Sequence, residues 1–398
     1  MVVIADKLIR NEMRDPVADL DGMLTGKGGL KLARLKLLSV VGARPNFVKA
    51  APLVREFHKV RNKIEHVLIH TGQHYDAKMS ADFFASLKIP PAKINLNVGS
   101  GSHGQQTAEI ICKFEDVCLS EKPDWVIVYG DVNSTLAAAI VTKKLKIRLA
   151  HVEAGLRSFD MDMPEEINRK VTDALSDLLF THSPEADSNL RREGVPPSKI
   201  VRVGNIMIDT LVAERRKIDR RRPYARLGCR PKKYVYITLH RPSNVDDPRV
   251  FSEILSRLVK LAEKMPIIFA LHPRTQKCLK KVSPGKKILR GRSLIFIGPL
   301  SYHDSIKCIK DALFVLTDSG GIQEETAYLG TPCLTLRPNT ERAVTIRLGT
   351  NKLTSLKTLD YDMARLTKCA GKFTKVAPVP LWDGKTASRI VAAFLRLA

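Results

Sequence analysis

The chain has 398 residues, of which 44% are apolar and 27% charged. That length exceeds one ordinary domain and that balance excludes a disordered or fibrous chain, so two globular domains are expected. Lysine and arginine number 66 against 41 aspartate and glutamate, a formal net charge of +25, which attracts anions such as nucleic acid, a lipid surface or a phosphorylated small molecule. No run approaches the roughly 18 consecutive apolar residues of a membrane span. Charges interrupt MVVIADKLIRNEMRD where a signal peptide needs an unbroken apolar core. A cytoplasmic protein is the expectation. The seven cysteines stand singly, without a CxxC, which suits free thiols in a reducing compartment and gives zinc no support. His70 and His74 are four apart, but at a strand end beside Gly72 that spacing is not helical, so no metal is expected there.

In chain order, residues 1–34 carry no clear strand and read as an N-terminal extension. Short Val, Ile and Leu runs then alternate with amphipathic stretches. Strands are predicted at Leu35–Val41, Val67–His70, Trp125–Tyr129, Arg148–Val152 and Leu178–Thr181. Between the first two, Phe47, Ala50, Ala51, Val54 and Phe57 form one apolar helical face, and Pro45 suits a first turn. GSGSHG at 99–104 matches GxGxxG. It follows only the short INLNV, however, and no second strand carries an acid at the expected distance, so it reads as a loop over a cleft rather than a dinucleotide site. The densest basic run, Arg215 to Lys233, holds one tyrosine and no other ring. It lacks the interleaved aromatic platforms of a strand binder and reads as a solvated linker, so no nucleic-acid partner is expected. Further strands are predicted at Tyr234–Leu239, Ile267–Leu271, Leu294–Ile297, Leu313–Thr317 and Cys333–Leu336. Strands this apolar, separated by helices, belong to parallel sheets covered on both faces. The fold class is α/β, in two domains on either side of a linker at about Leu211 to Lys233.

The unusual polar residues follow the predicted strands directly: GARPN, HTGQH, GDVNST and EAGLRS in the first half, HRPSN, HPRT, DSGGIQEE and RPNTER in the second. Open parallel sheets bind ligands beyond the carboxyl ends of their strands, so these groups are expected to line one cleft between the domains. Ser319, Gly320 and Gly321 precede a helix, where backbone N–H groups and the helix dipole suit a phosphate or diphosphate. Glu325 is placed to accept hydrogen bonds from ribose hydroxyls. Arg44, Lys49, His240, Arg241 and Arg342 add cations for the same anion. Asp131, Glu153 and Glu165 are acids near cations, a pattern suited to proton transfer. Glu153 follows IRLAHV, where a carboxylate is expensive to bury without a use. Pro164, Glu165 and Glu166 also make an ordinary helix start. His240 suits either an acid or a phosphate ligand.

GARPNFVKAAPL, TGQHYD, GDVNSTLAAA, HVEAGLRSFD, MPEEINR, TDSGGIQEE and RPNTER, in register from about Leu35 to the C-terminal WDGKTASRI, resemble UDP-N-acetylglucosamine 2-epimerases of the non-hydrolysing type. The resemblance implies two Rossmann-like domains of the GT-B type, at 35–210 and 211–375, with the active site in the cleft between them. It implies that 376–398 is a helix crossing back to the first domain. The activity implied is reversible interconversion of UDP-GlcNAc and UDP-ManNAc, the latter feeding cell-surface polysaccharide. In that family UDP leaves by elimination across C1–C2, giving a glucal, and re-adds after the C2 proton has changed faces. No cofactor or metal is implied, no membrane insertion is expected, and a homodimer is. By similarity Asp131, Glu153 and Glu165 are the acid/base candidates. Arg44, Lys49 and His240 assist the diphosphate or sugar, and Ser319, Gly320, Gly321, Glu325 and Arg342 hold UDP. Tyr75 and Ala343 stand where many relatives carry Arg and Pro. The alternatives are a hydrolysing epimerase that releases ManNAc and UDP, and a GT-B glycosyltransferase.

Overall fold

The computed structural model describes residues 34–73, 87, 89–282, 293–369 and 378–397, apart from the Arg44 side chain. The expectations for residues 1–33, His74 and Tyr75 lie outside these. The chain divides into two compact units, Met1–Thr210 with Pro380–Ala398, and Leu211–Val379.

The first unit is built on a parallel sheet: β1 (Leu35–Val41), β2 (Ile64–His70), β3 (Ile94–Asn95), β4 (Trp125–Tyr129), β5 (Arg148–Ala154), β6 (Leu178–Thr181) and β7 (Ile200–Arg202). Its helices are α1 (Arg44–Lys59), α2 (His103–Glu121), α3 (Asn133–Lys144), α4 (Pro164–Leu175), α5 (Pro184–Arg192) and α6 (Ile206–Asp219), the last running into the second unit. The second unit carries β8 (Val235–Thr238), β9 (Ile267–Ala270), β10 (Leu294–Ile297), β11 (Phe314–Thr317), β12 (Cys333–Leu336) and β13 (Asn351–Thr354). Its helices are α7 (Pro242–Val245), α8 (Pro248–Ala262), α9 (Pro273–Lys281), α10 (Tyr302–Asp311), α11 (Gly320–Leu329), α12 (Ala343–Arg347) and α13 (Leu359–Lys368). Helix α14 (Thr386–Arg396) belongs to the first unit and packs on α1.

Every residue of β4, β6, β9, β11 and β12 is buried. Because successive side chains point to opposite faces, a fully buried strand needs cover on both, and only a continuous apolar run supplies it. This is why those strands are legible in sequence. The three that sequence does not reveal, β3, β7 and β13, are all sheet edges. An edge strand is covered less, so NKLT and IVR carry no continuous apolar signal. The sheet orders are β3-β2-β1-β4-β5-β6-β7 and β10-β9-β8-β11-β12-β13. In each, the winding reverses between two central strands, β1 and β4 in the first and β8 and β11 in the second.

GSGSHG straddles a loop and a helix start: Ser102 caps α2 by accepting from the Gln105 N–H, and Gln106 donates to the Gly99 carbonyl at 2.8 Å. The arginines of the basic run are exposed, whereas its tyrosine, Tyr224, is buried and stacks on Tyr234 with centroids 5.4 Å apart. That ring is part of a core and offers no platform to a base. Among the described residues, no helix is long and apolar enough to cross a membrane.

Helix α14 completes the first unit. Asp209 on α6 accepts the Thr386 and Ala387 N–H groups at 3.1 and 2.7 Å, satisfying donors of the first turn that no preceding side chain caps. Phe394 then enters a ring of aromatics, with centroids 5.6 Å from Trp125, 5.7 Å from Phe180 and 6.1 Å from Phe57. Since Phe394 is fully buried, Phe394→Ala is expected to cost about 3–5 kcal/mol of stability. Chemical denaturation checks this, and a loss under about 1 kcal/mol would mean the site collapses without a cavity.

Candidate active site

In the first unit the winding reversal places the loops after β1 and β4 side by side. Asn46, in the first turn of α1, accepts from the Gly42 and Ala43 N–H groups and donates to the Tyr129 carbonyl at 2.9 Å. One amide thus joins both loops. Lys49, one turn on, points inward and forms an ion pair with Glu153; both side chains are buried. Glu153 sits in a bulge of β5, where the register with β6 shifts between Val152 and Ala154, and its φ is +75°. A glutamate holds a left-handed backbone only when its surroundings enforce it. Gly130, beginning the turn after β4, is required by the pair itself: a Cβ there would lie 2.7 Å from Lys49 Nζ and 3.2 Å from Glu153 Oε2.

Asp131 follows Gly130. Its carboxylate accepts from Arg169 on α4, and its carbonyl accepts from Asn168 at 2.9 Å. Arg169 is almost wholly buried and also donates to Glu166 through Nε and Nη2, at 3.0 and 2.6 Å. Glu166 accepts the Ser158 and Phe159 N–H groups as well. Burial works against its ionisation, but the Ser158 N–H and the Arg169 guanidinium outweigh it and hold the carboxyl below its usual range. The two glutamates of MPEEINR therefore differ: Glu166 is locked inside, and Glu165 is exposed at the first turn of α4. The structure joins Lys49 to Glu153 and links Asp131 to α4 through Arg169. It does not draw Glu165 into those contacts among the described residues. Arg44 opens α1 at the end of β1, and its side chain lies outside the described atoms.

In the second unit the reversal brings together the loops after β8 and β11. Asp318, fully buried at the end of β11, accepts the His240 and Arg241 N–H groups, the Asn244 amide at 2.9 Å and His240 Nδ1 at 3.0 Å. Burial opposes its ionisation, yet the His240 hydrogen bond and charge, with Asn244 and the Arg241 N–H, hold it below the usual carboxylate range. His240 is thereby fixed with its ring 5.1 Å from His272. Ser319 is the N-cap of α11, and its hydroxyl makes no capping bond. Gly320 lies against Arg342: a Cβ would collide with Nη1 and come within 2.9 Å of Glu341 Oε1. Arg342 pairs with Glu341 and, at 3.1 Å, with Glu324, while Arg337 pairs with Glu341 at 2.9 Å. Gly321 and then Glu325 follow along α11. The structure brings Ser319, Gly320, Gly321, Arg342, His240 and Arg241 to the carboxyl edge of one sheet, an arrangement that can hold a diphosphate through N–H groups, a helix dipole and cations. Asp318, Asn244 and Arg169 escape the sequence reading. The first stands in plain view in TDSGG, and Arg169 is three residues from Glu166, the spacing of neighbours on a helix. Among the described residues, no group of three or more His, Cys, Asp or Glu is arranged to hold a metal.

Burial, and then the neighbouring Glu324, push the Glu325 carboxyl up to about 8 from its ordinary 4.5. Between those values the folded protein binds more protons than the unfolded chain, so stability falls as pH rises through that window. Glu325→Gln is expected to be more resistant to urea than the parent at about pH 9 and equal to it at about pH 4. Parallel stability profiles for the two proteins across this range would contradict the assignment.

A family model described as UDP-N-acetylglucosamine 2-epimerase matches residues 57–395. The UDP-N-acetylglucosamine 2-epimerase of Methanocaldococcus jannaschii is 43% identical over 324 residues, covering 80% of this chain and 88% of that protein. A crystal structure of the M. jannaschii enzyme in complex with UDP-GlcNAc and UDP superposes with a TM-score of 0.83 at 39% identity, covering 92% of this chain and all of that one. The UDP-2,3-diacetamido-2,3-dideoxy-D-glucuronate 2-epimerase of Pseudomonas aeruginosa is 39% identical over 323 residues, 80% of this chain and 88% of that protein. A fold of two parallel sheets, glycines that make room for Lys49 and Arg342 at the sheet edges, and matches of this extent lead to one assignment: the chain belongs to the UDP-N-acetylglucosamine 2-epimerase family.

Proposed function

We propose that this chain is an isomerase that interconverts UDP-GlcNAc and UDP-ManNAc by inverting C2 of the sugar. The observation that carries the reading is the buried Lys49–Glu153 pair at the carboxyl edge of the first sheet, with the Asp131 carboxylate next in the chain to the glycine that touches it. The C2 hydrogen has no adjacent carbonyl to acidify it, so its loss must be coupled to departure of a good leaving group. A carboxylate removes the proton, the C2–H electrons form the C1=C2 bond of a glucal, and the C1–O bond breaks with its pair going to UDP. Return of UDP to C1 and of a proton to the opposite face of C2 completes inversion, with no net redox change.

In this scheme Asp131, Glu153 and Glu165 are the acids and bases. Glu165 is exposed at the first turn of α4, within reach of the solvent from which a hydrogen entering C2 would come. Arg44, Lys49 and His240 assist the diphosphate or sugar. Ser319, Gly320, Gly321, Arg241 and Arg342 hold the nucleotide by the means available at a helix start. Glu325 takes the ribose hydroxyls. That a relative from M. jannaschii is seen in complex with UDP-GlcNAc and UDP supports a UDP-sugar as the ligand. Phe159, Met161, Ile167 and Val171 are exposed apolar side chains on and before α4, and they support pairing of two copies, which light scattering tests.

A second substrate is favoured by one specific relative, the P. aeruginosa enzyme that acts on a diacetamido glucuronate. The carbon named is again C2, and the groups at C3 and C6 differ.

The test is incubation in heavy water followed by proton NMR. Deuterium should enter C2 as UDP-ManNAc appears from UDP-GlcNAc. Supplying UDP-2,3-diacetamido-2,3-dideoxy-D-glucuronate in parallel decides between substrates. Release of free UDP with ManNAc would indicate the hydrolysing variant, and transfer to an added acceptor a glycosyltransferase. Glu153→Gln should fold and bind UDP while exchange falls by about 100-fold or more. Product formed without C2 label would end the proton-transfer scheme.

A further inference from the structure

Behind Glu153 lies a second buried network that the reaction scheme leaves unused. Asp173 stands on α4 one turn beyond Arg169, and Asp173, His151 and Arg157 are all nearly inaccessible. Asp173 Oδ1 accepts from His151 Nδ1 at 2.6 Å. Its Oδ2 accepts from the Gly155 N–H at 3.0 Å and from Arg157 Nη1 at 2.7 Å. The other ring nitrogen of His151, Nε2, faces the Gly130 carbonyl at 2.8 Å. The ring thus stands between two acceptors and links the Asp173 carboxylate to the Gly130 carbonyl. Arg157 continues onto Glu193, through Nε and Nη2 at 2.8 and 2.6 Å. Arg157 thus bridges two carboxylates, Asp173 inside and Glu193 nearer the surface.

The sequence positions of these partners are what matter. His151 and Gly155 lie two residues before and two residues after Glu153, so one carboxylate holds both sides of the bulge in which Glu153 takes its left-handed backbone. Through His151 the same carboxylate reaches the carbonyl of Gly130, whose α-carbon lies against Lys49 and Glu153. We propose that Asp173 is a positioning residue for Glu153: it clamps residues 151 and 155 around the bulge and, through the His151 ring, sets the turn that precedes Asp131. The proposal rests on the epimerase reading and adds to it the element that aims one of its carboxylates.

All three partners of Asp173 donate, so an amide in its place would oppose a donor with a donor. Asp173→Asn is expected to lower kcat for epimerisation by about 100-fold, the scale of a reacting group misplaced by about 1 Å. KM for UDP-GlcNAc should stay within about threefold, because the nucleotide contacts are untouched. Asp173→Glu, which restores the charge at the wrong reach, should recover part of the loss. Two further variants decide the matter if Asp173→Asn does not fold. His151→Asn keeps a donor where Nδ1 stood and preserves the Asp173 contact. His151→Gln keeps one where Nε2 stood, preserves only the Gly130 contact, and should be the slower of the two by about tenfold. Folded variants with lowered melting temperatures but parental kcat, or equal rates for the two His151 variants, would overturn the clamp. Should the wild type itself show no C2 exchange, the epimerase reading fails separately. Nitrogen NMR of the histidine side chains then reads the clamp by itself: a hydrogen-bonded Nδ1–H signal of His151 that is lost in Asp173→Asn supports it, and a signal unchanged in that variant overturns it.

Discussion

A parallel sheet delivers the carboxyl ends of all its strands to one edge, and where the winding reverses no crossover helix closes the space beyond two neighbouring strands. Both sheets of this protein are governed by that constraint. In the first, the reversal between β1 and β4 is where Asn46 ties two loops together and where Gly130 makes room for Lys49 and Glu153. In the second, the reversal between β8 and β11 is where Asp318 gathers His240, Arg241 and Asn244, and where α11 begins. The two units each place an Arg-Pro pair after the strand there, Arg44-Pro45 and Arg241-Pro242. They arrive at comparable polar edges because the topology leaves the same gap in each.

What fills the gaps is charge, and burial decides how much each pair matters. The half-exposed pair of Arg257 and Asp360 is of a kind worth about 0–1 kcal/mol. Removing one partner of a buried pair such as Lys49 and Glu153 costs about 3–5 kcal/mol, because the survivor is left charged away from water. Pairs of the second kind occur here in chains rather than singly. Asp131, Arg169 and Glu166 form one, and Arg337, Glu341, Arg342 and Glu324 another. Each anion in such a chain has a cation beside it, and Arg169 serves two of them, so the geometry of these sites tolerates little adjustment.

Much of this was readable from residues alone. The buried central strands announce themselves as unbroken apolar runs, and the motifs that follow them mark the edges where the site residues lie. The limits were equally physical. Edge strands such as Ile94–Asn95 bury too little to leave a pattern. Glu165 and Glu166 are adjacent and chemically identical, and only the turn of α4 sends one to solvent and the other to Arg169. The left-handed backbone at Glu153 is imposed by partners far along the chain, so nothing local predicts it. Asp318 was visible as a letter, but its work is done through hydrogen bonds to residues about eighty positions earlier.

Helix α14 carries a consequence for how the molecule comes into being. The aromatic centre of the first unit contains Phe57, Trp125 and Phe180 from early in the chain, together with Phe394 from beyond the whole of the second unit. During synthesis the first unit therefore emerges with a gap in its interior that persists while the second is being made. Its early intermediates expose aromatic surface to the surrounding solution, and completion waits on a segment that leaves the ribosome long after its docking site. A protein wired in this way joins the fates of its two halves by the order of translation, quite apart from any chemistry they share.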